Sequence, residues 1–182
     1  MASGLTPDRE HFMIPNEFEK RCALVVEDVP SMRQLVVQLL KEIGFRDVLT
    51  SEDGADALNK VEHAPYPVDI IICDLEMPII SGLEFIQMLR HNENTSIRDT
   101  PLIVVTGYSE EKNLYQAVRL GVHGFLVKPV SRKALENRVR HALTNGTIDP
   151  NVFNKKPKSK AEDVKVIDGD TQKGQRPPML TK

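Results

Sequence analysis

The sequence predicts an α/β protein with a doubly wound parallel sheet in the strand order 2-1-3-4-5. Three observations carry this. Between Arg21 and Asn145, five short apolar runs alternate with five segments of helical period, the pattern of a parallel sheet covered on both faces. The strongest runs are unbroken, as strands buried on both sides must be. Right-handed crossovers leave few topologies, and for about 125 residues the order 2-1-3-4-5 is the economical one.

Cys22-Ala23-Leu24-Val25-Val26 is a strand that ends at acids. Pro30-Ser31 opens a helix, with proline suited to the first turn. Met32, Leu35, Val36, Leu39, Leu40 and Ile43 repeat at helical spacing until Gly44 closes it. Asp47 to Thr50 is a weaker strand, and Asp53 is positioned to cap a helix bearing Ala57, Leu58 and Val61. Ile70-Ile71-Ile72-Cys73 is the third strand, again ending at an acid. Pro78 breaks the chain before a helix bearing Leu83, Ile86 and Leu89. Asn92 to Asp99 reads as a polar loop leading to a fourth strand, Leu102-Ile103-Val104-Val105. Glu110 to Leu120 is helical, with Leu114, Ala117 and Val118 on one face. Phe125-Leu126-Val127 is the fifth strand, and Ser131 to Asn145 the last helix, with Leu135, Val139, Ala142 and Leu143 inward.

Composition limits the function classes. The chain is 40% hydrophobic and 27% charged with a net charge of −2, so no whole-chain signal points to nucleic acid. No apolar run reaches the roughly 18 residues a spanning helix needs. Residues 1–20 lack the apolar core of a secretory signal. Two cysteines, Cys22 and Cys73, fit a reducing cytoplasm, the expected location. The charge is unevenly spread. Residues 154–182 hold eight Lys or Arg against four acids and are +4, which leaves −6 on the other 153 residues. The expected organisation is an N-terminal arm (1–20), a folded body (21–145) and a basic tail (146–182) too poor in apolar residues to offset its ordering entropy. Phe12, Ile14 and Phe18 are the apolar groups available to dock the arm.

The chemistry lies at the strand ends: Glu27-Asp28 after the first, Asp74 after the third, Thr106 after the fourth, Lys128-Pro129 after the fifth. In an open parallel sheet ligands bind outside the carboxyl ends, where the strand order switches. Each residue has an ordinary reading by itself, such as a solvated acid or a lysine in a surface turn; four strand ends together do not. Two carboxylates about 4 Å apart repel by roughly 4 kcal/mol at an effective dielectric near 20. A protein protonates one of them or binds a cation. Oxygen ligands with one lysine nearby suit Mg²⁺. Asp74 is the candidate nucleophile, since a carboxylate can form an acyl phosphate. Thr106 and Lys128 would meet phosphoryl oxygens as hydroxyl donor and point charge.

The strings Leu24-Val25-Val26-Glu27-Asp28, Asp74-Leu75-Glu76-Met77-Pro78, Val104-Val105-Thr106-Gly107 and Phe125-Leu126-Val127-Lys128-Pro129 resemble the receiver domains of two-component response regulators. Over about residues 20–145 the likeness is to the stand-alone, chemotaxis-type members, with the flavodoxin-like (βα)5 fold. The resemblance implies that Asp74 accepts phosphate from a histidine kinase or histidine phosphotransfer protein. Glu27, Asp28, Asp74 and the Glu76 carbonyl would hold Mg²⁺, Glu27 through water. Thr106 and Phe125 would form the switch, and the last two helices with the fifth strand the face that binds a downstream protein effector. Self-phosphorylation and autodephosphorylation would be the only chemistry, so the protein is expected not to be an enzyme in the ordinary sense.

Three departures stand out. Glu27 replaces the more usual Asp. Ser81-Gly82 replaces a frequent Asp-Gly, which implies altered capping of the third helix. Phe125 lacks the hydroxyl of the common Tyr. Only 37 residues follow Asn145, too few and too polar for a typical DNA-binding output domain. Two alternatives compete: a phosphatase of the haloacid dehalogenase type, and a degenerate receiver acting without phosphorylation. The first needs Asp-x-Asp, where this chain has Asp74-Leu75-Glu76, and a cap domain for which there is no length. A nucleotide or flavin site is excluded by the lack of a glycine-rich phosphate loop after the first strand.

Overall fold

The computed structural model describes residues 16–107 and 111–151. The arm before Asn16, Tyr108, Glu110 and the tail from residue 152 lie outside the described residues. The order is β1 (Cys22–Val26), α1 (Pro30–Ile43), β2 (Asp47–Ser51), α2 (Gly54–His63), β3 (Ile70–Asp74), α3 (Gly82–Arg90), α4 (Thr95–Arg98), β4 (Leu102–Thr106), α5 (Glu111–Arg119), β5 (Gly124–Val127) and α6 (Arg132–Thr144). All strand pairs are parallel, in the order β2-β1-β3-β4-β5. This is the doubly wound, flavodoxin-like architecture the sequence predicts.

Strand periodicity divides the core into two layers, because alternate side chains leave opposite faces. Leu24, Val26, Ile71, Cys73 and Val104 pack with Ala57 of α2, Phe85 and Leu89 of α3, and Val118 of α5. Ala23, Val25, Ile70, Ile72, Ile103 and Val105 pack with Val36 and Leu40 of α1 and Leu135 and Val139 of α6. Burying each large aliphatic contributes about 1.5–3 kcal/mol. This parity also decides which strand-end groups share a face.

Local signals set the helix ends. Proline occupies the first turn of α1, and Gly44, at φ 121°, closes it. Asp53 accepts hydrogen bonds from the Ala55 and Asp56 backbone N–H groups at the start of α2. Ser81 caps α3 in a full capping box with Glu84, so the departure from Asp-Gly leaves that end satisfied. One expectation is corrected: the polar loop Asn92–Asp99 contains the helical turn α4. Asn94 caps it by accepting from the Ser96 N–H, and the Thr100 hydroxyl donates to the Ser96 carbonyl.

Packing extends past both ends of the 21–145 segment. Phe18 is buried and stacks on Phe45, with ring centroids 5.1 Å apart, while the Asn16 side chain donates to the Ile43 carbonyl. Glu17 pairs with Arg140, whose guanidinium also lies over the Phe18 ring. At the other end the Ile148 N–H donates to the Val122 carbonyl, and its side chain packs on the α2–α3–α5 layer.

Candidate functional site

β1 and β3 are adjacent where the strand order reverses, and their ends bring Glu27, Asp28 and Asp74 together. One oxygen from each lies within 4.8 Å of the others, and this is the cluster of metal-ligating groups found among the described residues. Glu27 is 2% exposed and Asp74 4%, so water screens their repulsion weakly. Lys128 reaches them from the end of β5, its Nζ 2.6 Å from Asp74 Oδ2 and 3.1 Å from Glu27 Oε2. Glu27, Asp74 and Lys128 continue the strand parity that faces α1 and α6, which is why residues far apart in sequence converge.

The electrostatics are unresolved by that one ammonium. Burial, then the neighbouring Asp74 charge, push the Glu27 carboxyl up despite the Lys128 contact. Burial works against the Lys128 charge, but its bonds to Asp74 and Glu27 outweigh that and hold the ammonium above its ordinary range. Burial and the charges of Asp74 and Glu27 push the Cys73 thiol well up, so it stays protonated in the α2–α3–α5 layer. Asp28 Oδ1 is buried without a hydrogen-bond partner. A buried, unpartnered carboxylate oxygen within a three-acid cluster is what a hard divalent cation would satisfy, and the all-oxygen donor set fits Mg²⁺.

Thr106 ends β4 and is buried, its hydroxyl donating to the Gly107 carbonyl at 3.2 Å. The Glu76 side chain is exposed and its carboxylate stands outside the three-acid cluster; its N–H lies 3.4 Å from Asp74 Oδ1. Phe125 is half-buried against the α2–α3–α5 layer, with the Arg138 guanidinium 5.7 Å from its ring centroid. It neighbours Val104 across the β4–β5 ladder, on the side away from Lys128. Lys128–Pro129 is a cis peptide.

Two features were missed from sequence. Gly82 is required for contact: a Cβ there would lie 2.0 Å from the Asp74 carbonyl oxygen and 2.7 Å from Leu75 Cα. The start of α3 thus rests directly on the peptide carrying Asp74. Arg33, on the first turn of α1, donates to the carbonyls of both Glu27 and Asp28. The readable signal was a cation six residues after Glu27 and just inside a helix beginning at proline.

Comparisons with known proteins agree with this geometry. The profile of the response regulator receiver domain matches residues 23–140. The chemotaxis protein CheY of Pseudomonas aeruginosa is 27% identical over 116 residues, covering 64% of this chain and 90% of the relative. CheY-3 of Vibrio cholerae shows the same identity over 86% of its length. The solved chemotaxis response regulator CheY4 of Vibrio cholerae superposes with a TM-score of 0.60 at 31% identity, over 68% of this chain and 98% of that one. A receiver domain protein from Clostridium thermocellum, at 24% identity and a TM-score of 0.61 over 68% and 94% of the two chains, supports the fold.

Proposed function

The chain belongs to the response regulator receiver domain family, and from that premise we propose that it is a response regulator whose Asp74 accepts a phosphoryl group. The observation that carries this is the grouping of Asp28 with the buried Glu27 and Asp74 at the carboxyl edge, with Lys128 bonded to Asp74. The haloacid dehalogenase alternative is set aside by the family membership.

The proposed step is a phosphoryl transfer from a phosphohistidine donor. An Asp74 carboxylate oxygen forms the new O–P bond as the donor's N–P bond breaks, and the imidazole nitrogen recovers the electron pair. Glu27, Asp28 and Asp74, with the Glu76 carbonyl, would hold Mg²⁺. When bound, the cation neutralises phosphoryl oxygens. Lys128 meets a second phosphoryl oxygen with its point charge, and the Thr106 hydroxyl turns to donate to a third. Burial of Glu27 and Asp74 keeps the dielectric low, so each of these contacts is stronger than in water.

The signal arises from one local charge change biasing a two-state element. Thr106 moving toward the phosphoryl group vacates space beside β4, and Phe125 rotates inward. The face formed by α5, β5 and α6 then presents a different surface to a protein effector. The partners in this reading are a histidine kinase or histidine phosphotransfer protein and that effector, in a cytoplasmic setting; a chemotaxis role and a phosphorelay role both fit. No described helix is long and apolar enough to cross a membrane. The protein passes on a phosphoryl state and turns over no other substrate.

The test is incubation with Mg²⁺ and acetyl phosphate, then intact-mass measurement. We expect an adduct of about 80 Da that is absent in Asp74→Asn. A folded wild-type protein that never forms it would favour a phosphorylation-independent module. Steady hydrolysis of a phosphate ester without adduct would overturn the receiver reading.

A further inference from the structure

Arg33 is not among the groups proposed to hold the cation or the phosphoryl group, yet it bonds the backbone of two of the acids. β1 ends at Val26 and α1 begins at Pro30, so the Glu27 and Asp28 peptides lie between ladder and helix. In an extended chain successive side chains point to opposite faces. Glu27 and Asp28 are successive, and both must present an oxygen to Asp74. The backbone therefore has to turn immediately after β1 and be held there. The Glu27 N–H is fixed by the Ser51 carbonyl. The two carbonyls are held by Arg33, whose Nη1 donates to Glu27 O and, at 3.2 Å, to Asp28 O. The guanidinium is half-buried, anchored on a helix fixed to the core through Val36, Leu39 and Leu40.

We infer that Arg33 is a positioning residue for the divalent cation. It clamps the Glu27–Asp28 turn through its two carbonyls so that both carboxylates face Asp74, and it acts through this geometry, since its charge by itself would repel the cation. The inference rests on the proposed metal-assisted function. Lysine would keep the charge but replace the rigid, planar amino group that aims two N–H bonds at the carbonyls with a freely rotating ammonium on a flexible stem. Methionine would keep the aliphatic stem and lose both. Groups that orient metal ligands from behind typically account for about 10- to 100-fold in metal affinity.

The experiment titrates the full-length protein with Mg²⁺ alone by calorimetry and records the melting temperature without cation. Arg33→Met is expected to bind Mg²⁺ about 10- to 100-fold more weakly than wild type, with Arg33→Lys in between and both still folded at the assay temperature. At saturating Mg²⁺, acetyl phosphate is expected to modify Arg33→Met as fully as wild type, which separates a role in cation placement from one in the transfer itself. Should Arg33→Met not fold, Arg33→Lys decides. Wild-type affinity in Arg33→Lys, or affinity within twofold of wild type in Arg33→Met, overturns the clamp. Failure of the wild type itself to bind Mg²⁺ overturns the metal reading along with it.

Discussion

At the amino end of the sheet, buried and half-buried polar groups are matched. Arg90 donates to the carbonyls of Arg98, Thr100 and Gly121, Asp69 accepts from Arg21 and the Cys22 N–H, and His123 Nδ1 accepts from the Leu102 N–H. At the carboxyl end, three acids gather, two of them share one lysine, and Asp28 Oδ1 has no partner. Strain gathers at that end too: Ile79, five residues after Asp74, has φ 69° and is 86% exposed. A β-branched residue rarely adopts that conformation, and here no core packing compensates. One sheet thus carries a satisfied end that stabilises it and a frustrated end suited to bind charge.

The largest effect should come from breaking the satisfied end. Arg90→Met strands three carbonyls, each costing about 1–3 kcal/mol if left unpartnered. With partial solvation of this half-buried site, we expect a loss of about 3 kcal/mol, read from the urea midpoint at unchanged m-value. Adduct formation with acetyl phosphate should persist wherever the variant is folded. A loss of that adduct in folded Arg90→Met would show that the two ends are coupled.

Relief of strain at the other end should act in the opposite direction. Asn tolerates positive φ where Ile does not, so Ile79→Asn is expected to stabilise by about 1 kcal/mol. A destabilised Ile79→Asn would mean that the carboxyl end is not strained as the backbone indicates.

The smallest effect concerns pH. Burial, then the Arg90 charge, lower the His123 pKa from its ordinary 6.5. Its neutral form is therefore favoured in the native state. That stability is fully present above 6.5 and is lost as pH falls through the lower folded value, because the unfolded chain takes up the proton first. Below it, a protonated Nδ1 would set donor against the Leu102 N–H. Asp56 and Glu84, held below the usual carboxylate range by hydrogen bonds from Lys60 and Ser81, act at more acidic pH. Glu27, pushed up, acts with the opposite sign. In His123→Asn the side-chain carbonyl accepts at any pH, so its melting temperature should decline less than that of wild type between pH 7 and 5.5. Equal slopes would remove His123 from the account.

The strands and the acids at their ends were legible because each fully buried strand stops where polarity begins: Val26 before Glu27, Cys73 before Asp74. Topology then comes from crossover handedness. Less legible were features set by backbone geometry. Asn94-Thr95-Ser96 reads as a polar loop, yet the Asn94 side chain makes it a helical turn. Arg33 passes as a solvated helix residue until the direction of the Glu27 and Asp28 carbonyls is known. Phe18 stands out as apolar in a polar arm, but its partner Phe45 lies just past a helix end, where no periodicity links the two.

The Phe18–Phe45 stack bears on where a working fragment can be cut. Family likeness starts at Ala23, and a fragment trimmed to that point would lack Phe18, uncover one face of Phe45 and remove Glu17 from Arg140. Such a fragment would keep all three acids and Lys128 yet expose sticky aromatic surface beside α1 and α6. Failed expression or clumping of it would then report a boundary placed six residues too late, not a defect in its chemistry.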